Sequence, residues 1–83
     1  MSIDVLLKDV RKVIGAKQTA KAVEKGQASL VFLAEDAESR VLAPIREACA
    51  RAGVTVRTVP SMIELGKACG IEVGAAAVAV IKV

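Results

Sequence analysis

The hydrophobic positions of this 83-residue chain recur with two different spacings, one typical of helices and one typical of buried strands. At the N-terminus, apolar residues three, four and seven positions apart predict a helix over residues 3–14, which Gly15 is expected to end. A second, shorter helix is predicted over residues 17–25. Residues 28–34 are almost entirely apolar, as expected of a strand that is buried on both faces.

Helical spacing returns over residues 41–52, which end at Gly53. Pro44 lies inside this segment, and it is expected in the first turn of the main helix, after a short preceding turn, because proline lacks the N–H that later turns need. Residues 54–59 are rich in β-branched side chains and predict a further strand.

A fourth segment with helical signals begins directly after Pro60. Ser61 and Glu64 match a capping box, and Gly70 stands where a left-handed helix cap belongs, so a helix is predicted over residues 62–69. Residues 77–83 predict a last strand. This alternation, with room for a very short strand near Gly15, favours an α/β fold with three layers, α/β/α.

Composition fits one domain over residues 1–83, because 54% hydrophobic and 25% charged residues are enough to build a core. The net charge of +3 favours polyanionic partners without requiring one. Phe32 is the sole aromatic residue, which argues against binding single strands by stacking bases on aromatic platforms. The longest apolar run, residues 73–81, is too short to span a bilayer, so the chain is expected in the cytoplasm, with Cys49 and Cys69 reduced.

Little in the sequence points to catalysis or to a cofactor. The chain has no histidine, so the commonest general base and metal ligand is missing. The carboxylates at residues 35–38 lie between a strand and a helix, where turn and cap chemistry explains them better than acid–base catalysis. Gly66, Gly70 and Gly74 match neither the dinucleotide fingerprint nor the phosphate loop. We therefore expect no enzyme, no metal and no cofactor.

Lys17, Lys21 and Lys25 form a stripe at four-residue spacing on the second predicted helix. A solvated surface with Glu24 as partial counter-charge would account for such a stripe. Two features favour RNA instead. Like charges at this spacing repel by roughly 0.2 to 0.5 kcal/mol per pair, and Gly15 lets an anion approach the helix amides closely.

Four segments together resemble the ribosomal protein L7Ae/L30e superfamily, whose members bind kink-turn RNA. They are the helix start at residues 15–22, the strand end and acidic turn at 33–37, the LGKACG helix at 65–70, and the loop and last strand at 71–80. The resemblance covers nearly the whole chain, and the combination is specific although no single segment is. It implies an α/β/α sandwich with a mixed sheet of about four strands.

The resemblance also implies a ligand and its contacts. A kink-turn is a helix with a three-nucleotide bulge beside tandem sheared G·A pairs. The implied contact residues form two groups: Gly15, Lys17, Gln18 and Lys21 in the basic helix start (residues 15–21), and Ile71, Glu72 and Val73 in the apolar loop (residues 71–76). The first group would meet the major groove at the G·A pairs, and the second would pack under the flipped bulge nucleotide.

The chain departs from the family pattern in two places. Many members have Asn-Glu where this chain has Lys17 and Gln18, so an anionic acceptor becomes a neutral amide beside a cation, as in a short bacterial branch. Met62 stands where several members have a basic residue, so no contact is carried over there. Glu38 matches a position that touches RNA in some members.

The resulting expectation is a monomeric, cytoplasmic protein that recognises and stabilises kink-turn RNA, associated with the ribosome and independent of membranes. The alternative is a structural or protein-interaction module that uses the apolar loop. A small enzyme or nucleotide binder ranks last.

Overall fold

The computed structural model describes residues 10–82 of the chain. Within that range four strands and three helices follow one another: β1 (Lys12–Ile14), α1 (Ala16–Glu24), β2 (Ala28–Ala34), α2 (Ser39–Ala52), β3 (Thr55–Val59), α3 (Met62–Ala68) and β4 (Ala77–Ile81).

The strands form a mixed sheet in the order β1-β4-β2-β3. β4 runs antiparallel to both of its neighbours, whereas β2 and β3 are parallel. The parallel pair is joined by a helical crossover through α2, as parallel strands require. The predicted mixed sheet of about four strands is confirmed.

Helices cover both faces of the sheet, and β2 directs its apolar side chains alternately to one face and to the other. Val31 and Leu33 belong to a core under α1 and α2, whereas Phe32 and Ala34 belong to a second core under α3. These four side chains are at most 3% exposed, which explains why the strand reads as one continuous apolar run. The fold is the predicted α/β/α sandwich.

The prediction of a helix up to residue 14 is wrong at its C-terminal end. Residues 12–14 form strand β1, which pairs with β4 through Lys12↔Val80 and Ile14↔Val78. Adjacent Val13 and Ile14 pack into different cores, as successive residues of a strand do. Gly15 therefore precedes α1 instead of closing a helix. Residues 10 and 11 are not helical either, and residues 3–9 of the predicted helix lie outside the described residues. β1 is the very short strand near Gly15 for which the sequence left room.

The prediction for Pro44 is also wrong. α2 is continuous from Ser39, so Pro44 is its sixth residue and not part of its first turn. Pro44 has no N–H to donate to the carbonyl of Arg40, and both residues lie on the exposed side of the helix. Gly53 caps the helix in the left-handed conformation, as predicted.

The remaining predicted elements agree with the structure to within two residues. In α3 the Ser61 hydroxyl accepts a hydrogen bond from the Glu64 N–H at 3.1 Å, and Gly70 has the expected positive φ. Across residues 10–82 we find no helix that is both long and apolar enough to traverse a bilayer.

Candidate functional site

The two predicted contact groups start from the same edge of the sheet. The Gly15 N–H donates to the Ala77 carbonyl at 2.8 Å, which ties the basic helix start to the first residue of β4. One residue earlier, the Ala76 carbonyl accepts from the Ala34 N–H at 2.9 Å, at the end of β2. Gly15 and Ala77, 62 residues apart in sequence, are thereby joined directly, and the apolar loop ends one residue before Ala77.

Gly15 adopts a backbone conformation that other residues avoid, with φ 114° and ψ 149°. A Cβ at this position would also lie 3.1 Å from the Oε1 atom of Gln18, whose side chain folds back over the glycine. The turn from β1 into α1 therefore needs glycine for its dihedral angles, whereas the exposed Gln18 amide is the end of a flexible side chain that can move aside.

The start of α1 is electrostatically positive. Lys17, Gln18 and Lys21 are all exposed, and the two lysines lie one turn apart on the same face. The first turn contains no carboxylate, and among residues 10–82 no side chain is seen to cap its free amides. The positive end of the helix dipole has no carboxylate within its own first turn, an arrangement that suits a bound anion.

The apolar loop presents a different chemistry. Val73 is 70% exposed, Glu72 is exposed, and Ile71 is half-buried against the α3 core. The Ile71 N–H donates to the Gly66 carbonyl at 3.0 Å, so the loop begins as a continuation of the α3 cap. A large aliphatic side chain is thus held out into solvent on an anchored backbone.

The apolar loop and α3 meet through two glycines, which we call the glycine seam (Gly66 and Gly74). A Cβ on Gly66 would overlap the Val73 carbonyl oxygen and lie 3.3 Å from the Gly74 Cα. A Cβ on Gly74 would lie 3.0 Å from the Met62 Cβ. The Met62 carbonyl also accepts from the Ala75 N–H at 3.0 Å. The backbones of loop and helix are in direct contact, and no side chain separates them.

The acidic turn at residues 35–38 is largely occupied by structural contacts. The Asp36 Oδ1 accepts from the Met62 N–H at 2.8 Å, so this carboxylate caps α3 across the loop. The Glu38 Oε2 lies 2.7 Å from the Arg40 Nε in an exposed ion pair. The predicted cap chemistry holds for Asp36, although it caps α3 and not the helix that follows it; Glu38 stands at the N-cap of α2 and makes no capping hydrogen bond there.

Ile63 and Lys67 were missed by the sequence analysis. They line a pocket of about 320 Å³ together with residues 71–74 of the apolar loop. Ile63 is 64% exposed, although it lies in a helix whose Leu65 and Ala68 are buried. The spacing could have revealed it, because Ile63 stands four residues before Lys67, on the polar face of α3.

Other candidate chemistry is weak. Burial raises the pKa of both thiols, Cys49 and Cys69, and near Cys69 the Lys12 ammonium opposes part of that rise. Both thiols are therefore protonated and poorly nucleophilic at neutral pH. Throughout the described part of the chain, no group of three or more metal-binding side chains is close enough to hold an ion.

A mixed sheet with helices on both faces, and a basic helix start and an apolar loop at the same end of that sheet, define a small α/β/α protein. The model of the ribosomal protein L7Ae/L30e/S12e/Gadd45 family matches residues 2–83. The chain belongs to this family. Its membership confirms the expected relationship and the expectation that the protein is not an enzyme.

Known relatives agree with this assignment. The RNA-binding protein YbxF of Geobacillus stearothermophilus is 45% identical over 82 residues, which cover 99% of this chain and 100% of that protein. An RNA-binding protein of Geobacillus sp. strain WCH70 is 46% identical with the same coverage. Among solved structures, a 15.5 kD RNA binding protein of Giardia lamblia has a TM-score of 0.82 and 28% identity, covering 98% of this chain and 66% of that one.

Proposed function

We propose that this protein binds RNA, and that it recognises and stabilises the kinked form of a kink-turn. The observation that carries the proposal is the Gly15 to Ala77 hydrogen bond, because it holds the basic helix start against the first residue of β4, which directly follows the apolar loop. The family and the names of its RNA-binding relatives support an RNA ligand. That the RNA is specifically a kink-turn is our proposal.

The two parts of the surface suit different parts of such an RNA. Lys17 and Lys21 are cations that can donate to phosphates or to guanine O6 and N7 in a groove, and Gln18 adds an amide. Val73 can cover the face of an unstacked base without an aromatic ring, while Glu72 can accept from a base N–H. Gly15, Lys17, Gln18, Lys21, Ile71, Glu72 and Val73 are the proposed contact residues.

Stabilisation of the kink is a population shift. A sharp bend crowds phosphates, and cations at the bend lower that repulsion. The protein needs to prefer the kinked state by only a few kcal/mol to make it the dominant one. We propose that it acts as a monomer in the cytoplasm, in association with the ribosome, through one domain over residues 1–83.

A calorimetric titration tests the proposal with two hairpins, one containing a kink-turn and one with its G·A pairs replaced by Watson–Crick pairs. We expect the first to bind at least about tenfold more tightly. Equal affinities would refute kink-turn recognition.

A second candidate function is a protein-interaction module. The observation that favours it is the exposed apolar pair Ile63 and Val73, since such pairs also occur at protein interfaces. Capture of a partner protein that survives RNase treatment and is lost in Val73→Asp would support it.

A further inference from the structure

The glycine seam makes α3 and the apolar loop one continuous surface. Gly66 and Gly74 bring the two backbones into contact, and the Met62 carbonyl binds the Ala75 N–H from the same side. Asp36 fixes the start of α3 by accepting from the Met62 N–H. A ligand that enters the pocket lined by the loop therefore also meets Ile63 and Lys67 on the outer side of α3.

That outer side presents an apolar residue and a cation. Ile63 and Lys67 are four residues apart, so they lie one above the other on the same face of α3. Both are exposed, and both line the pocket that the loop residues complete. One exposed aliphatic side chain is ordinary, but Ile63 and Val73 flank a single pocket from two different elements and so form a patch.

The size and chemistry of this pocket fit a nucleotide. At about 320 Å³ it falls at the small end of the range for pockets that hold small molecules. Its apolar walls can cover a base, Lys67 can bind a phosphate, and Glu72 can accept from a base N–H. Phe32, the sole aromatic residue, is buried, so an aliphatic platform is what the chain can offer a base on this surface.

We propose that Ile63 and Lys67 of α3 are RNA contact residues, which together with the apolar loop hold one unstacked nucleotide of the bound RNA. Ile63 packs on its base, opposite Val73, and Lys67 pairs with its phosphate. This inference rests on the proposed function, and it extends the RNA surface beyond the two segments described above.

The experiment titrates the full-length protein and its variants with a kink-turn hairpin and with the same hairpin made abasic at the outermost bulge position. Ile63→Ser should bind the intact hairpin about fivefold more weakly and the abasic hairpin as tightly as the parent does. Ile63→Val should keep most of the parent's affinity for the intact hairpin. Lys67→Met should weaken both complexes. It should also lower the slope of log K against log salt by about 0.9, the value for one phosphate contact.

Matched controls come from α2. Val41 is another exposed aliphatic residue and Arg51 another last-turn cation, so Val41→Ser and Arg51→Met should leave both affinities unchanged. If Ile63→Ser binds both hairpins like the parent, or weakens both equally, the assignment of Ile63 is overturned. If only capture of a protein partner changes, the patch belongs to that protein.

The titrations distinguish a failure of the proposed function from a failure of this inference. A parent protein that does not distinguish the kink-turn from the hairpin without G·A pairs refutes both. A parent that does distinguish them, with unchanged binding in Ile63→Ser and Lys67→Met, refutes the α3 contacts alone.

Discussion

Replacing Gly66 by alanine should destabilise the protein, although alanine is the better helix former. At an exposed helix position this change gains about 1 kcal/mol. Here the new Cβ would overlap the Val73 carbonyl oxygen and lie 3.1 Å from the Val73 carbonyl carbon and 3.3 Å from the Gly74 Cα. All three atoms are backbone, so no side chain can rotate out of the way.

The magnitude follows from these opposing effects. Overpacking costs about 1 to 3 kcal/mol, and contact with fixed backbone belongs at the upper end. Subtracting the gain in helix propensity leaves a net loss of about 2 kcal/mol. For a domain of this size that loss lowers Tm by roughly 8 to 16 °C.

Thermal unfolding followed by circular dichroism measures the effect, with two matched controls. Ala50→Gly, at an exposed position of α2, isolates the helix propensity term and should cost about 1 kcal/mol. Gly70→Ala places a Cβ in open space but at φ +80°, so it should lose stability through backbone strain without moving the apolar loop. A Gly66→Ala protein as stable as the parent, or more stable, would refute the account of the seam.

Four further predictions concern single side chains. Lys21→Ala should weaken kink-turn binding and lower the slope of log K against log salt by about 0.9; an unchanged slope would place this lysine away from phosphate. Val73→Asp should lower RNA affinity about tenfold, while Tm stays within about 3 °C because the side chain is 70% exposed; a larger drop in Tm would show a structural role. Asp36→Ala removes the acceptor for the Met62 N–H and should lower the free energy of unfolding in urea by about 1 kcal/mol; no change would make this hydrogen bond irrelevant to stability. Thr19→Val replaces a fully buried hydroxyl that has no partner within the described residues, so it should raise that free energy by about 1 kcal/mol, and a loss would mean that the hydroxyl is satisfied.

The sequence predicted the elements whose signals are local. The strand at 28–34 has the predicted bounds because a strand that is buried on both faces consists of consecutive apolar residues. The signals that indicated α3 are Ser61, Glu64 and Gly70. The error at residues 12–14 has a non-local cause. Val10, Val13 and Ile14 fit a helical spacing, but β4 offers a strand edge 64 or more residues later that the spacing cannot reveal.

The candidate site was predicted unevenly. The basic helix start was visible as glycine followed by spaced lysines, and the apolar loop came from family resemblance. Ile63 was missed because an apolar residue inside a capping-box helix is expected in the core. The contact of Gly66 with the Val73 carbonyl depends on two backbones meeting in space, which no local pattern of glycines indicates.

The central claim is that the basic helix start and the apolar loop together recognise a kink-turn. The most direct measurement is a calorimetric titration of the parent protein with a kink-turn hairpin and with its counterpart whose G·A pairs are replaced. We expect affinity for the kink-turn to be at least about tenfold higher than for the counterpart. Equal affinities for the two hairpins would contradict it.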